Sequence, residues 1–160
     1  MATDNNTVKL TVLGRIHTPF RDSESIPIQG TANTARGTIA LAPPFARGLA
    51  DLEGFDRIWL LYLSPAEEAW QPLIVPRLDD TPRGVFATRS RQRPNPIGLT
   101  CVKLLKVEHQ TLHVEGVDML DGCPLLDVKP YVPRFDSFPE AWSGWLENSI
   151  PHQDAWQDPD

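Results

Sequence analysis

Gly84-Val-Phe-Ala-Thr-Arg-Ser-Arg-Gln-Arg-Pro-Asn-Pro-Ile-Gly98 decides how the rest of the chain is read. With Arg83 it gathers four arginines between a β-branched run and a loop locked by two prolines. Pro94 and Pro96 fix two φ angles and push the residues before them to extended geometry, so the guanidinium groups stand on a stiff platform. Guanidinium groups grip carboxylates and phosphates bidentately, which makes the platform a candidate anion site. Taken alone, Arg89, Arg91 and Arg93 alternating on a solvated strand face would account for the charges. A second segment weighs against that: in Val117-Asp-Met-Leu-Asp-Gly-Cys-Pro-Leu-Leu-Asp-Val-Lys-Pro-Tyr131, carboxylates flank an Asp-Gly-Cys-Pro turn. A cationic loop and an anionic turn in one small chain point to a ligand of mixed charge.

The two segments, Ala-Thr-Arg-Ser-x-x-Arg-Pro-Asn-Pro-Ile-Gly at 87–98 and Asp-Gly-x-Pro-x-x-Asp-x-Lys-Pro-Tyr at 121–131, resemble the TsaA-like (TrmO) family. The similarity runs from Gly14-Arg-Ile-His-Thr-Pro-Phe20, through Leu52-Glu-Gly-Phe-Asp-Arg-Ile-Trp59, to about residue 133. This resemblance implies an all-β fold, a small antiparallel β-barrel with one or two short peripheral helices, acting as a homodimer. It also implies S-adenosyl-L-methionine as cofactor and methyl transfer to N6 of N6-threonylcarbamoyladenosine in tRNA. The cofactor contacts it implies are Gln29, Arg89, Leu99, Met119, Leu120, Asp121 and Gly122. Each suits its part: Arg89 can clamp a carboxylate, Asp121 can accept hydrogen bonds, and Gly122 permits close backbone approach.

The acceptor nitrogen must shed a proton, for which Asp118 and Asp121 are the candidate catalytic acceptors, and Asp127 after them. Arg91 and Arg93 are candidate substrate contacts, with Lys103 a further phosphate partner, and Lys129 or Tyr131 could orient the substrate. The chain departs from the family at Ile28, where arginine is usual, and at Ser64-Pro65, where Phe-His is usual, so contacts there are backbone or apolar. It is also short after the barrel. Two alternatives stay open: the same chemistry on a small molecule, and a non-catalytic module that binds the cofactor.

At 160 residues the chain is expected to form one domain over 1–160, with a core over about 8–135, a helix over about 138–148 and a loose tail over 149–160. Cys101 and Cys123 lack metal-ligand spacing and are too few for a disulfide framework, which fits a reducing cytosol and leaves no expected metal. No apolar run approaches the roughly 20 residues of a membrane helix, and the polar N-terminus has no signal-like core, so a cytoplasmic protein is expected. A formal net charge of −6 argues against indiscriminate nucleic-acid binding. RNA contact must then be local, and Arg77, Arg83, Arg89, Arg91, Arg93, Lys103 and Lys106, against Asp79 and Asp80, form the candidate patch. The ten glycines include no Gly-x-Gly pair, which excludes the dinucleotide fingerprint, and no phosphate-cradling loop is present.

Periodicity predicts strands over 8–12, 36–41, 58–63, 85–88 and 99–107, the last joined by a turn at 109–111 to a strand over 112–117. Phe45, Leu49 and Leu52 have helical spacing after a proline start, and Gly54 ends that helix. Ser137-Phe-Pro-Glu140 reads as a capping box opening a helix with Trp142, Trp145 and Leu146 in one stripe. His109 and His113 are read as exposed hairpin histidines rather than a metal pair; His17 either borders the pocket or is held by a buried hydrogen bond.

Overall fold

The computed structural model describes residues 7–28, 33–65 and 69–149. Six strands close into an antiparallel barrel: β1 (Gly14–His17), β2 (Arg36–Leu41), β3 (Arg57–Leu63), β6 (Ile97–Glu108), β7 (Thr111–Glu115) and β8 (Cys123–Pro130). Around the barrel they run β1-β2-β7-β6-β3-β8 and back to β1. Two two-residue strands, β4 (Leu73–Ile74) and β5 (Arg83–Gly84), pair outside it. Closure removes the open edges that unpaired strands would present.

Alternation puts the core inside. Along β3, Ile58, Leu60 and Tyr62 are buried while Arg57, Trp59, Leu61 and Leu63 are half-buried, as expected of a strand paired on one side with β6 and on the other with β8. Thr100, Val102 and Leu104 of β6, with Leu112 and Val114 of β7, complete the same interior. Each fully buried aliphatic side chain contributes roughly 1.5–3 kcal/mol. Register shifts occur between Leu61 and Tyr62 against β8 and between Leu104 and Lys106 against β7, and such bulges sharpen the coil that closure needs.

The expected all-β barrel is what forms, with four local differences. The strand expected over 8–12 is absent: Val8, Leu10 and Val12 are exposed and β1 begins only at Gly14, where partners in β2 and β8 become available. Alternation without a neighbouring strand leaves the apolar face nothing to cover. Residues 85–88 form a 3-10 turn, Val85–Ala87, instead of a strand. The helix over 44–52 is two 3-10 pieces, Pro43–Leu49 and Leu52–Gly54, broken at Asp51 with φ 65°. The helix over 138–148 does not form. Ser137 instead ends a one-turn helix, α1 (Pro133–Asp136), donating its N–H to the Pro133 carbonyl at 3.1 Å, and the chain after it makes a turn in which the Ala141 N–H donates to the Phe138 carbonyl at 3.0 Å. Only Gly144–Asn148 coils, as a 3-10 turn, and Trp142 stays 91% exposed, so no common stripe is made. No helix among the described residues is long and apolar enough to cross a membrane.

Candidate functional site

The antiparallel order gathers three connections at one end of the barrel: residues 18–35 after β1, 64–96 after β3 and 116–122 after β7. These hold nearly every motif singled out in the sequence. Interior chemistry changes toward the same end, which holds the three buried polar residues among those described, Thr18, Ser64 and Thr100, and the buried Tyr62. Buried polar atoms must be partnered, and here they are. Thr18 donates through its hydroxyl to the Met119 carbonyl at 2.9 Å, and its N–H donates to Asp121 Oδ1 at 3.0 Å. Thr100 Oγ1 donates to Asp118 Oδ1 at 2.5 Å, and lies 3.2 Å from the Tyr62 hydroxyl. The backbone N–H of Ser64 donates to the Pro96 carbonyl at 2.8 Å.

The turn at 121–122 is fixed by the first connection. Asp121 N–H donates to the Phe20 carbonyl and Gly122 N–H to the Ile16 carbonyl, both at 2.8 Å. Gly122 has φ +82°, a conformation L-residues reach only with strain, and open space lies where its Cβ would be. Arg15 Nη1 donates to its carbonyl at 3.0 Å. Asp121 also pairs with Arg21, and its Oδ1 lies 3.4 Å from Nδ1 of the exposed His17. The Thr18 N–H first, then Arg21 and His17, hold its carboxyl below the usual carboxylate range. His17 thus borders the site rather than being buried. An open groove on the outer barrel wall, lined by His17, Arg21, Arg36, Lys106 and His113, also reaches Asp121.

The arginines divide in two. Arg93 turns back into its own loop, its Nη1 donating to the carbonyls of Thr88 at 2.7 Å, Val85 at 3.2 Å and Ser90 at 3.5 Å. Arg83 is held by Asp79 at 2.6 Å and lies 5.4 Å from the centre of the Trp145 ring, whose Nε1 donates to the Ala87 carbonyl at 2.8 Å. Both therefore stiffen the platform. Arg91 leans toward the barrel mouth, with Nη1 3.5 Å from the Pro65 carbonyl and its charge felt at Tyr62 and Cys123. Arg89 is exposed beside it. Arg77 ties this connection to the first one, donating to the Ser23 carbonyl at 2.8 Å.

Three comparisons bear on what such a barrel end is for. A family model for the tRNA-methyltransferase O N-terminal domain matches residues 15–137. The chain belongs to that family. It is 42% identical over 139 residues to a probable S-adenosyl-L-methionine-binding protein of Pyrococcus abyssi, covering 86% of this chain and 76% of the relative. To the tRNA (adenine(37)-N6)-methyltransferase of Escherichia coli it is 35% identical over 148 residues, covering 86% of this chain but 63% of that enzyme. The crystal structure of TrmO from Pseudomonas aeruginosa superposes with a TM-score of 0.76 at 38% identity, over 91% of this chain and 65% of that one. The chain thus spans less than two thirds of the longer family members.

Within the TrmO barrel, the expected site residues fall into separate groups. Asp118, Leu120, Asp121, Gly122, Arg89 and Arg91 lie on the connections at the polar end, and the exposed Leu99 sits on the outer wall of β6 next to it. Met119 is 2% exposed within the core, so it can offer a ligand only its backbone. Gln29 lies outside the described residues. Lys129 and Tyr131 do not join the group: Lys129 pairs with Asp127 at 2.8 Å, six strand residues or roughly 20 Å from the start of β8. Tyr131 stands edge-on to Trp59 with ring centres 5.6 Å apart, beyond the same end of β8. Arg93, expected as a substrate contact, has its Nη1 engaged within its own loop. Sequence reading missed Tyr62 and Thr100, although a phenol inside an otherwise apolar strand was a visible signal.

Proposed function

We propose that this chain is an S-adenosyl-L-methionine-dependent methyltransferase acting on N6 of N6-threonylcarbamoyladenosine in tRNA, as a cytoplasmic, single-domain homodimer. The observation that carries the reading is the convergence of both charged motifs on the one polar end of a TrmO-family barrel. The residues there fit the cofactor: Arg89 offers a cation for its carboxylate, and Leu99 an exposed apolar surface. Gly122 offers open backbone at a turn that needs positive φ, and Asp121 an ionised acceptor. When bound, that cofactor supplies a methyl group on a sulfonium, which departs as a neutral thioether.

The chain's own work is to hold the acceptor nitrogen in line and take its proton. Positioning of this kind accounts for much of the barrier in bimolecular transfer. Asp121, held below the ordinary carboxylate range by the Thr18 N–H and Arg21, is a weak base. Asp118, half-buried at the mouth, is assigned as the acceptor for the proton that leaves N6 as the nitrogen–carbon bond forms. Ile97 and Leu105, exposed along the outside of β6, are the apolar surface offered for pairing of two copies.

Nucleoside mass spectrometry of tRNA from a strain lacking the protein tests the substrate: loss of the methylated nucleoside is expected, and its persistence would overturn the assignment. Calorimetry tests the pocket, because Arg89→Ala removes a charge-assisted bond worth roughly 1.5–3 kcal/mol and should weaken cofactor binding at least tenfold. A folded variant with unchanged affinity removes the clamp role. The Pyrococcus relative is named only for binding the cofactor, which favours a non-catalytic module as the second reading. Turnover of tRNA by the purified protein separates the two.

A further inference from the structure

Tyr62, Thr100 and Asp118 form a chain of hydrogen bonds that starts inside the barrel and ends at its mouth. Tyr62 is 6% exposed and Thr100 5%. The Thr100 hydroxyl has one proton, and it goes to Asp118 Oδ1 at 2.5 Å. Tyr62 must then donate to Thr100 Oγ1 across 3.2 Å, which sets the direction of the whole chain toward the carboxylate. Burial first, then the Asp118 charge, push the Tyr62 phenol well above its ordinary value, so it keeps its proton and acts as a permanent donor. The arrangement is built into the sheet. Tyr62 pairs with Gly98 in the β3–β6 register, and a Cβ at 98 would overlap the Tyr62 ring, so only glycine lets the phenol reach Thr100.

Resting on the proposed reading of Asp118, we infer that Tyr62 and Thr100 are positioning residues which fix the orientation of that carboxylate for proton acceptance, with Gly98 making room for them. A buried two-hydroxyl chain is a costly way to fill a core. An apolar pair would pack the same volume with no polar group to satisfy. Its use is to hold one carboxylate rotamer in a connection that has no secondary structure of its own.

Thr100→Val, Tyr62→Phe and Thr100→Ser provide the test, with wild-type protein, tRNA and S-adenosyl-L-methionine. Thr100→Val should lower kcat by about 10- to 100-fold, less than the roughly 10²- to 10⁴-fold attributed to a general base itself because the base is misplaced rather than removed, while both KM values move less than about twofold. Tyr62→Phe should fall less, and Thr100→Ser, which keeps the donor, should restore most of the rate. A purely structural role would instead lower the melting temperature of Thr100→Val and leave kcat at permissive temperature unchanged, which overturns the inference. Crystal structures of wild type and Thr100→Val decide the geometry apart from turnover. The Asp118 carboxyl should leave its wild-type rotamer in the variant, and an unmoved carboxyl overturns the positioning role. If wild-type protein methylates no tRNA, the functional reading fails, and the crystallographic comparison still decides whether Thr100 sets the carboxyl.

Discussion

The two ends of the barrel are closed in opposite ways. At the far end, the 3-10 turns Pro43–Leu49 and Leu52–Gly54 drive Leu49, Leu52 and Phe45 into the core, and a two-residue turn at His109–Gln110 joins β6 to β7. At the near end the plug is polar: Thr18, Ser64, Thr100 and Tyr62 are satisfied by one another, by backbone and by the aspartates of the 116–122 connection. Apolar closure is indifferent to orientation, whereas every bond of the polar closure specifies a donor and an acceptor. Stability should therefore be concentrated at one end and chemistry at the other.

The sharpest way to break that division is a pair of substitutions. Asp118→Asn keeps an acceptor for Thr100 but loses the base, so turnover should fall by about 10²-fold or more while the melting temperature barely moves. Leu52→Ala should do the reverse, costing about 2–3 kcal/mol and lowering the melting temperature by roughly 5–10 °C, with cofactor affinity retained at low temperature. If Leu52→Ala abolishes binding in the folded protein, the ends are coupled and the division is wrong.

A smaller effect separates the two kinds of arginine. Arg91 at the mouth is expected to meet RNA phosphate, so Arg91→Ala should reduce the salt slope of tRNA binding by about one unit. Arg93→Ala should change that slope less, because its Nη1 is held by the carbonyls of Val85, Thr88 and Ser90. What it should weaken is cofactor affinity, through a loosened platform. Equal slopes for both variants would mean that neither touches RNA.

How much of this was legible beforehand follows from the range of each interaction. The central strand, the β6–β7 hairpin and the Asp121–Gly122 turn are set by local periodicity and by a glycine that must take positive φ, and they are where the sequence places them. The strand at 8–12 failed because alternation says nothing of whether a partner strand is present to pair with it. The helix expected over 138–148 gives way to a turn at Phe138–Ala141 and to Gly144 at φ +62°, a value a continuous right-handed helix cannot contain. Lys129 and Tyr131 followed the motif along the chain, but an extended strand carries a motif away from its own beginning. The Tyr62–Thr100–Asp118 chain joins residues 38 and 18 positions apart, and the β3–β6 register and the β6–β7 pairing bring them together.

The smallest effect lies at Asp121 and is read through pH. Its carboxyl is held below the ordinary range by the Thr18 N–H first and by Arg21 and His17 after it, so the folded protein binds that proton less readily than the unfolded chain. The stabilisation is therefore complete above the unfolded carboxylate value of about 3.9 and fades as pH falls through the lower folded value. Asp121→Asn keeps an acceptor for the Thr18 N–H but loses the charge, so it should be somewhat less stable than wild type at pH 7. That difference should shrink as denaturation is repeated toward pH 3. Cofactor affinity at pH 7 should fall with it if the same charge meets the cofactor as proposed. A stability gap that persists unchanged to low pH would mean that Asp121 holds the 18–35 connection by shape alone, and the near end would then owe its order to hydrogen bonds without help from charge.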